Sequence, residues 1–302
     1  MSNQIPRSGE ITLTEAMKVY EQSYLGPRRL AERSRVEYRN DINDLIAFLH
    51  NKGVTKIGLV TTAHLKDYMA SLEQRGYAVP TRRRKVLSVK AFFGFMREYT
   101  SLPHDPAFSL ASPPIQLETP RVLDADEIKR LRAACAEDVR DASIIELLLQ
   151  TGIRLSELVG ITFEDVRLPA AKGEMGSVHI AAEAGAIERT VPLNSKVSEA
   201  LRAFLAIRPP TTERGLFVTR RGTPLGARGF QALVDRYLRL AGIGNASVHT
   251  LRHTFAVNHL RRGSSLSTVQ GSLGLKSLTA LAVYNIPPDP QAFAQELETN
   301  AL

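Results

Sequence analysis

Between Ser101 and Leu123 the chain reads SLPHDPAFSLASPPIQLETPRVL, a stretch with five prolines. Proline has no backbone N–H to donate and pushes the residue before it out of helical geometry, so neither a helix nor a central strand runs through such a segment. It reads as an extended linker, and it obliges the chain to fold as two tethered bodies. The length agrees, because 302 residues exceed one ordinary compact domain and are comfortable for two. We therefore expect a first domain over residues 1–110, a linker over 111–122 and a second domain over 123–302.

The two sides of the linker differ in hydrophobic period. From Leu13 to Tyr99 apolar residues recur at three and four, as in Ala16, Val19 and Tyr20 and again in Ile42, Leu45, Ile46 and Leu49. Gly53 and Gly76 supply stops, Thr61-Thr62 offers an N-cap, and Pro80-Thr81 opens RRRKVLSVKAFFGFMREY. No strand signal interrupts them, so this side predicts an all-α bundle of four helices and roughly 90 residues.

The second side is mixed. Asp124 and Glu127 have capping-box spacing at the start of DADEIKRLRAAC, and ASIIELLLQTGIRLSELVGIT holds two helices joined at Thr151-Gly152. SVHIAAEAGAIERTVPL alternates as two short strands around residues 183–186, a hairpin. Helices are expected at VSEALRAFLAI, GFQALVDRYLRLAG, TLRHTFAVNHLRRG and LSTVQGSLG, and the tail QAFAQELETNAL reads as a last short helix. The fold class is thus mainly α with a small β component, a helical domain followed by an α+β domain.

Charge narrows the partners. Lys and Arg total 39 against 31 Asp and Glu, a net +8, which favours a polyanion such as nucleic acid or anionic lipid. Tryptophan is absent and aromatic residues make up 6%, which argues against stacking on exposed bases as the main binding mode. No apolar run is long enough to span a membrane, and MSNQIPRSGEITL lacks the apolar core of a secretory signal. The single Cys135 excludes an internal disulfide and a cysteine metal cluster, and it reads as an ordinary helix residue. The expected compartment is a reducing cytoplasm, with the protein associated with the nucleoid.

The densest charge lies at the start of the fourth helix. Arg82, Arg83, Arg84 and Lys85 are consecutive, Lys90 and Arg97 follow, and Val86, Val89, Phe92, Phe93 and Met96 form the buried stripe. Such a run is commonly a solvated face. At a helix start, however, positive charge opposes the macrodipole, which favours a polyanionic partner such as the duplex backbone. Arg33, Arg35 and Arg39 supply a second basic cluster.

Three stretches of the second domain carry the chemistry. Arg154 follows a glycine turn in TGIRLSELVGI, His249 and Arg252 share a helix face in HTLRHTF, and Tyr284 ends the helical stretch of LGLKSLTALAVYNI. Singly, each has a bland structural role. Together they fit phosphodiester exchange, which needs a nucleophile, charge stabilisation at phosphorus and proton management for two oxygens. Two guanidiniums bind non-bridging oxygens and stay charged at any working pH. A tyrosyl phosphodiester conserves bond energy for attack by another strand's hydroxyl. No metal or other cofactor is required, and a metal-dependent nuclease would need clustered carboxylates at ligand spacing.

The chain resembles the tyrosine recombinases, the phage-integrase family that includes the Xer-type and Cre-type enzymes. The resemblance covers nearly all of it: TRRRKVLSVKAFFGFMRE, HDPAFSL, TGIRLSEL, ERTVPL, HTLRHTFA and LGLKSLTALAVY occur in the family's order. It implies a four-helix, SAM-like core-binding domain and a recombinase catalytic domain that cleaves and rejoins DNA through a 3′-phosphotyrosyl link. By the resemblance Arg154 and Arg252 clamp the phosphate, His249 manages protons, Tyr284 attacks and Glu157 braces Arg154. The implied partners are duplex DNA with a specific site and a tetramer, of this chain or with a second recombinase, joined by exchange of the tail around Phe293 and Leu297. Neither a membrane nor a small-molecule substrate is implied. The separate helical domain favours recombinase over type IB topoisomerase.

Two positions depart from the family pattern. The hairpin lysine expected as general acid is replaced within EAGAIER, and the His or Trp expected nine residues before the tyrosine is Leu275, with Lys276 beside it. Lys172 or Lys276 could stand in for the acid. The competing reading is a DNA-binding accessory protein that keeps the fold with weakened chemistry.

Overall fold

The computed structural model describes residues 10–28, 30, 32–100, 102–114, 119–170, 174–182 and 187–284. The chain divides into two units, Met1–Gln116 and Leu117–Leu302, with the division inside the proline-rich segment.

In the first unit, α1 (Leu13–Tyr20) starts at Thr12, whose hydroxyl accepts from the Glu15 N–H while Glu15 returns to the Thr12 N–H, a reciprocal cap. A π-helical turn, Glu21–Leu25, continues it. Then come α2 (Glu32–Asn51), α3 (Thr62–Gln74, capped by Thr61) and α4 (Val79–Thr100). Pro80 falls in the first turn of α4, where its missing N–H leaves no helical bond unmade. The four α-helices enclose Tyr20, Leu45, Leu49, Tyr68, Phe92 and Phe93, all fully buried. Tyr20 and Phe92 meet edge to face with centroids 5.1 Å apart, a geometry that aligns ring edge with ring face.

The second unit begins with α5 (Ala125–Cys135), on which the expected Asp124–Glu127 cap is formed. Next are α6 (Val139–Thr151) and α7 (Leu155–Gly160). Ile144, Ile145, Leu147, Leu148 and Leu149 are all buried, and so are Asp141, Ser143, Glu146 and Thr151, so α6 is covered on most of its surface and runs through the core. An antiparallel sheet of order β1-β2-β3 follows, with β1 at Val166–Arg167, β2 at Gly176–Ile180 and β3 at Arg189–Leu193. The register pairs Val178 with Val191 and His179 with Thr190. Val178, Ile180, Val191 and Leu193 therefore face the core, and His179 faces outward. The hairpin was expected; β1 was not, because two residues are too few to show alternation.

Four helices complete the unit: α8 (Ser195–Ile207), α9 (Ala227–Leu240), α10 (Val248–Arg261) and α11 (Leu266–Leu273). A 3-10 helix, Leu278–Tyr284, ends the described chain. Phe255, Ala256, Val257, Val269, Leu273 and Leu281 form a small second core around Tyr284. Lys172, the hairpin turn at 183–186 and the tail helix expected at 291–302 lie outside the described residues.

Candidate active site

The site is built on the turn between α6 and α7. Gly152 takes φ +61° to end α6, and a Cβ there would lie 2.5 Å from Phe255 Cδ1. Only glycine meets both demands. The tight turn puts Arg154 immediately ahead of α7 and packs its backbone against α10.

Glu157, on the first turn of α7, is the hub. Its carboxylate accepts from the Arg154 backbone N–H at 2.7 Å and from Arg154 Nη1 at 2.9 Å. Arg189 at the start of β3 donates to both of its oxygens, each at 2.9 Å, a two-pronged pairing that fixes the guanidinium plane. Burial alone would raise the Glu157 carboxyl, but the Arg189 hydrogen bonds, the Arg154 backbone N–H and both positive charges outweigh it and hold it below the ordinary value.

The C-terminal end of α11, with its cap, closes the cluster. Arg252 Nη2 donates to Leu273 O at 2.8 Å, Arg154 Nη2 to Gly274 O at 3.3 Å, and Arg189 Nε to Ser272 O at 2.8 Å. Three guanidiniums from three elements thus converge on three successive carbonyls. Gly274 is left-handed, and a Cβ there would sit 2.6 Å from Arg189 Nη1. Burial, then the neighbouring Arg154 charge, push Arg252 down to about 10, where it is still a cation at neutral pH. Among the described residues one carboxylate stands against the three arginines, so two positive charges are left over there. A pentacoordinate phosphorus formed from a phosphodiester carries about two negative charges, and a fixed field of this sign and size is what stabilises such a species.

Tyr284 is buried beside this cluster, and its hydroxyl lies 2.9 Å from His253 Nδ1. It makes no hydrogen bond to either arginine among the described residues. Burial raises its phenol, while the Arg252 charge partly offsets that rise. Sequence reasoning therefore brought together Arg154, Arg252, Tyr284 and the bracing Glu157. His249, on the first turn of α10, is exposed and makes no hydrogen bond among the described residues. Lys276 is exposed, whereas Leu275 packs against the small core. Two residues were missed. Arg189 stood in plain view in ERTVPL, but only the fold sets it against Glu157; His253 was hidden by its place between the singled-out Arg252 and the core residue Thr254.

The basic run of α4 requires a correction. Lys85 is 4% exposed and reaches Asp41 at 3.2 Å and Asp44 at 2.9 Å, so it is a buried structural cation. Arg82 pairs with Glu73 at 2.7 Å, and Arg84 with Glu37 at 3.0 Å and with Asp41. Acidic residues on α2 and α3, invisible to a reading of α4 alone, offset the charge that opposes the helix dipole. Arg83 donates to Pro113 O at 2.9 Å and has no carboxylate partner, and Lys90 and Arg97 have none either, among the described residues. These three recur every seventh residue and so share a face. Leu87, 56% exposed, and Gly94, with open space around it, lie between them.

Residues 121–288 match the phage integrase family, and residues 17–98 match the phage integrase N-terminal SAM-like domain. The chain is 30% identical over 269 residues to the tyrosine recombinase XerC of Roseiflexus sp. (strain RS-1), covering 85% of this chain and 84% of the relative. It is 30% identical over 284 residues to that of Roseiflexus castenholzii, covering 90% and 88%. Among solved structures, the integrase of transposon Tn1549 in complex with transposon right end DNA is similar with a TM-score of 0.74 at 17% identity, over 97% of this chain and 100% of that one. The lambda integrase dimer bound to a COC′ core site is similar with a TM-score of 0.73 at 16% identity, over 92% and 78%. The chain belongs to the phage integrase family, that of the tyrosine recombinases.

Proposed function

We propose that the protein is a site-specific DNA recombinase that breaks and rejoins strands through a 3′-phosphotyrosyl intermediate on Tyr284. The observation that carries this reading is the surplus, among the described residues, of two positive charges around Arg154, Arg189 and Arg252, beside a buried tyrosine. Arg154 and Arg252 hold the phosphate through its non-bridging oxygens, Glu157 and Arg189 fix Arg154, and His249 and a second donor manage the leaving oxygen. The α4 face of Arg83, Lys90 and Arg97 contacts duplex backbone, with Arg82 and Arg84 engaged only if they exchange their carboxylates for phosphate. Relatives of this fold are described as dimers on a core site and as a tetramer on a Holliday junction. A tetramer on paired sites is the matching assembly here, with residues 291–302 as the exchanged segment.

One observation favours the competing accessory reading: Leu275 packs into the small core where a proton donor was expected. A nicked suicide duplex separates the two. It should be built on the sequence that the full-length protein selects from a random duplex library. A recombinase becomes covalently joined to the 3′ end, and the Tyr284→Phe variant does not. Binding without any covalent product would establish the accessory role instead.

A further inference from the structure

Within hydrogen-bond reach of the Tyr284 hydroxyl there is one basic side-chain atom among the described residues, His253 Nδ1, at 2.9 Å. Glu157 is committed to two arginines, and His249 makes no hydrogen bond among the described residues. The two rings meet at 64° with centroids 5.6 Å apart, so the imidazole presents its edge to the phenol. A general base must stand about 2.6–3.2 Å from the proton it takes, and this atom does.

We propose that His253 is a catalytic residue, the base that accepts the phenolic proton of Tyr284 as its oxygen attacks DNA phosphorus; the proposal rests on the recombinase reading above. The step balances. The Tyr284 Oη–P bond forms, the P–O5′ bond breaks, and the phenolic proton passes to His253 Nδ1. The electron pair leaves on O5′, which takes a proton from water or from a nearby acid. In rejoining, the oxygen of an incoming 5′ hydroxyl attacks the phosphotyrosine and gives its proton back to water or to that acid. The P–Oη bond breaks, and protonated His253 returns its proton to the departing phenolate.

The surroundings suit this part. Among the described residues, His249 and Arg252 on α10 and Tyr284 on the final 3-10 helix are the titratable groups that face His253. Burial first, then the charges of His249 and Arg252, hold the imidazole below its ordinary value, so at neutral pH it is uncharged and free to accept. A phosphodiester seated between Arg154 and Arg252 cancels part of that positive field, and the doubly negative transition state cancels more. His253 therefore gains basicity as the phosphorus centre forms, and in the absence of DNA the tyrosine keeps its proton.

The test measures single-turnover covalent attachment of the full-length protein to its selected duplex. The substrate carries either a normal phosphate or a 5′-bridging phosphorothiolate, whose sulfur leaves without a proton. His253→Gln should slow attachment by about 100-fold or more on both substrates and abolish the acidic limb of the pH–rate profile. Loss of a leaving-group acid, by contrast, is repaired by sulfur. In His253→Ala that still binds the duplex, added imidazole should restore the rate, which covers the case in which the glutamine variant misfolds. A His253→Gln rate equal to wild type on the phosphorothiolate, or no imidazole rescue, overturns the role of His253 alone. A wild-type protein that never attaches, or a Tyr284→Phe protein that does, overturns the recombinase reading beneath it.

Discussion

At the residue scale, Glu157 couples the fold to the site. It is 6% exposed and shared by two arginines, so its removal leaves the buried Arg189 side chain and the half-buried Arg154 without this counter-charge. Glu157→Gln should destabilise the second unit by about 3 kcal/mol in urea unfolding at neutral pH, the scale for breaking a buried pair. Its carboxyl is lowered in the folded state, so the stabilisation is complete above the ordinary value of 4.5 and lost as pH falls through the lower folded value. The difference between variant and wild type should accordingly shrink below pH 4.5; a gap independent of pH would show that the carboxylate charge is not its source. Gly152→Ala probes the turn itself. A methyl group 2.5 Å from Phe255 at φ +61° should cost about 1–3 kcal/mol or more and displace Arg154, so both denaturation and DNA attachment should suffer. The motif residues Arg154, Arg252 and Tyr284 were legible because each lies at a sequence signal: a glycine turn, an i,i+3 pair and the end of a helical stretch. Arg189 and His253 act through contacts made across 32 and 31 positions of sequence, and nothing local announces those.

At the scale of elements, α4 shows how a charge run is divided by its neighbours. Its helical period was readable, and so was the buried stripe of Val86, Val89, Phe92, Phe93 and Met96. Which cations face solvent was not, because that depends on where α2 sets Asp41 and Asp44. Asp41 is 1% exposed and takes Lys85, Arg84 and the Ser88 hydroxyl, the last at 2.7 Å. Asp41→Ala should therefore destabilise the first unit by about 3 kcal/mol, with Lys85 and Ser88 losing a buried partner. Chemical denaturation of the isolated substitution against wild type checks this, and a change below 1 kcal/mol would mean that Asp44 alone satisfies Lys85. The short β1 escaped notice for a different reason: its two residues are held by pairing with β2, Val166 opposite Val178, and not by any pattern of their own.

For the whole molecule, the proline-rich segment that divides the sequence also contains the division of the structure. Duplex binding through the first unit should depend on the α4 face that, among the described residues, has no carboxylate partner. Replacing Arg83, Lys90 and Arg97 together by Ala should reduce the slope of log K against log salt by about 3, close to one per lost phosphate contact, whereas Lys85→Met should leave the slope unchanged. An equal loss from Lys85→Met would mean that this buried cation is released on binding. The central claim concerns Tyr284, and one measurement reaches it directly. Trypsin cleaves after Lys276 and finds no further Lys or Arg through Leu302, so one peptide holds all of residues 277–302, within which Tyr284 is the single tyrosine. After reaction with the nicked duplex in chelator and nuclease trimming, tandem mass spectrometry should find this peptide carrying a nucleotide 3′-phosphate on Tyr284. An adduct on any other residue, or none formed until magnesium is added, would contradict the account.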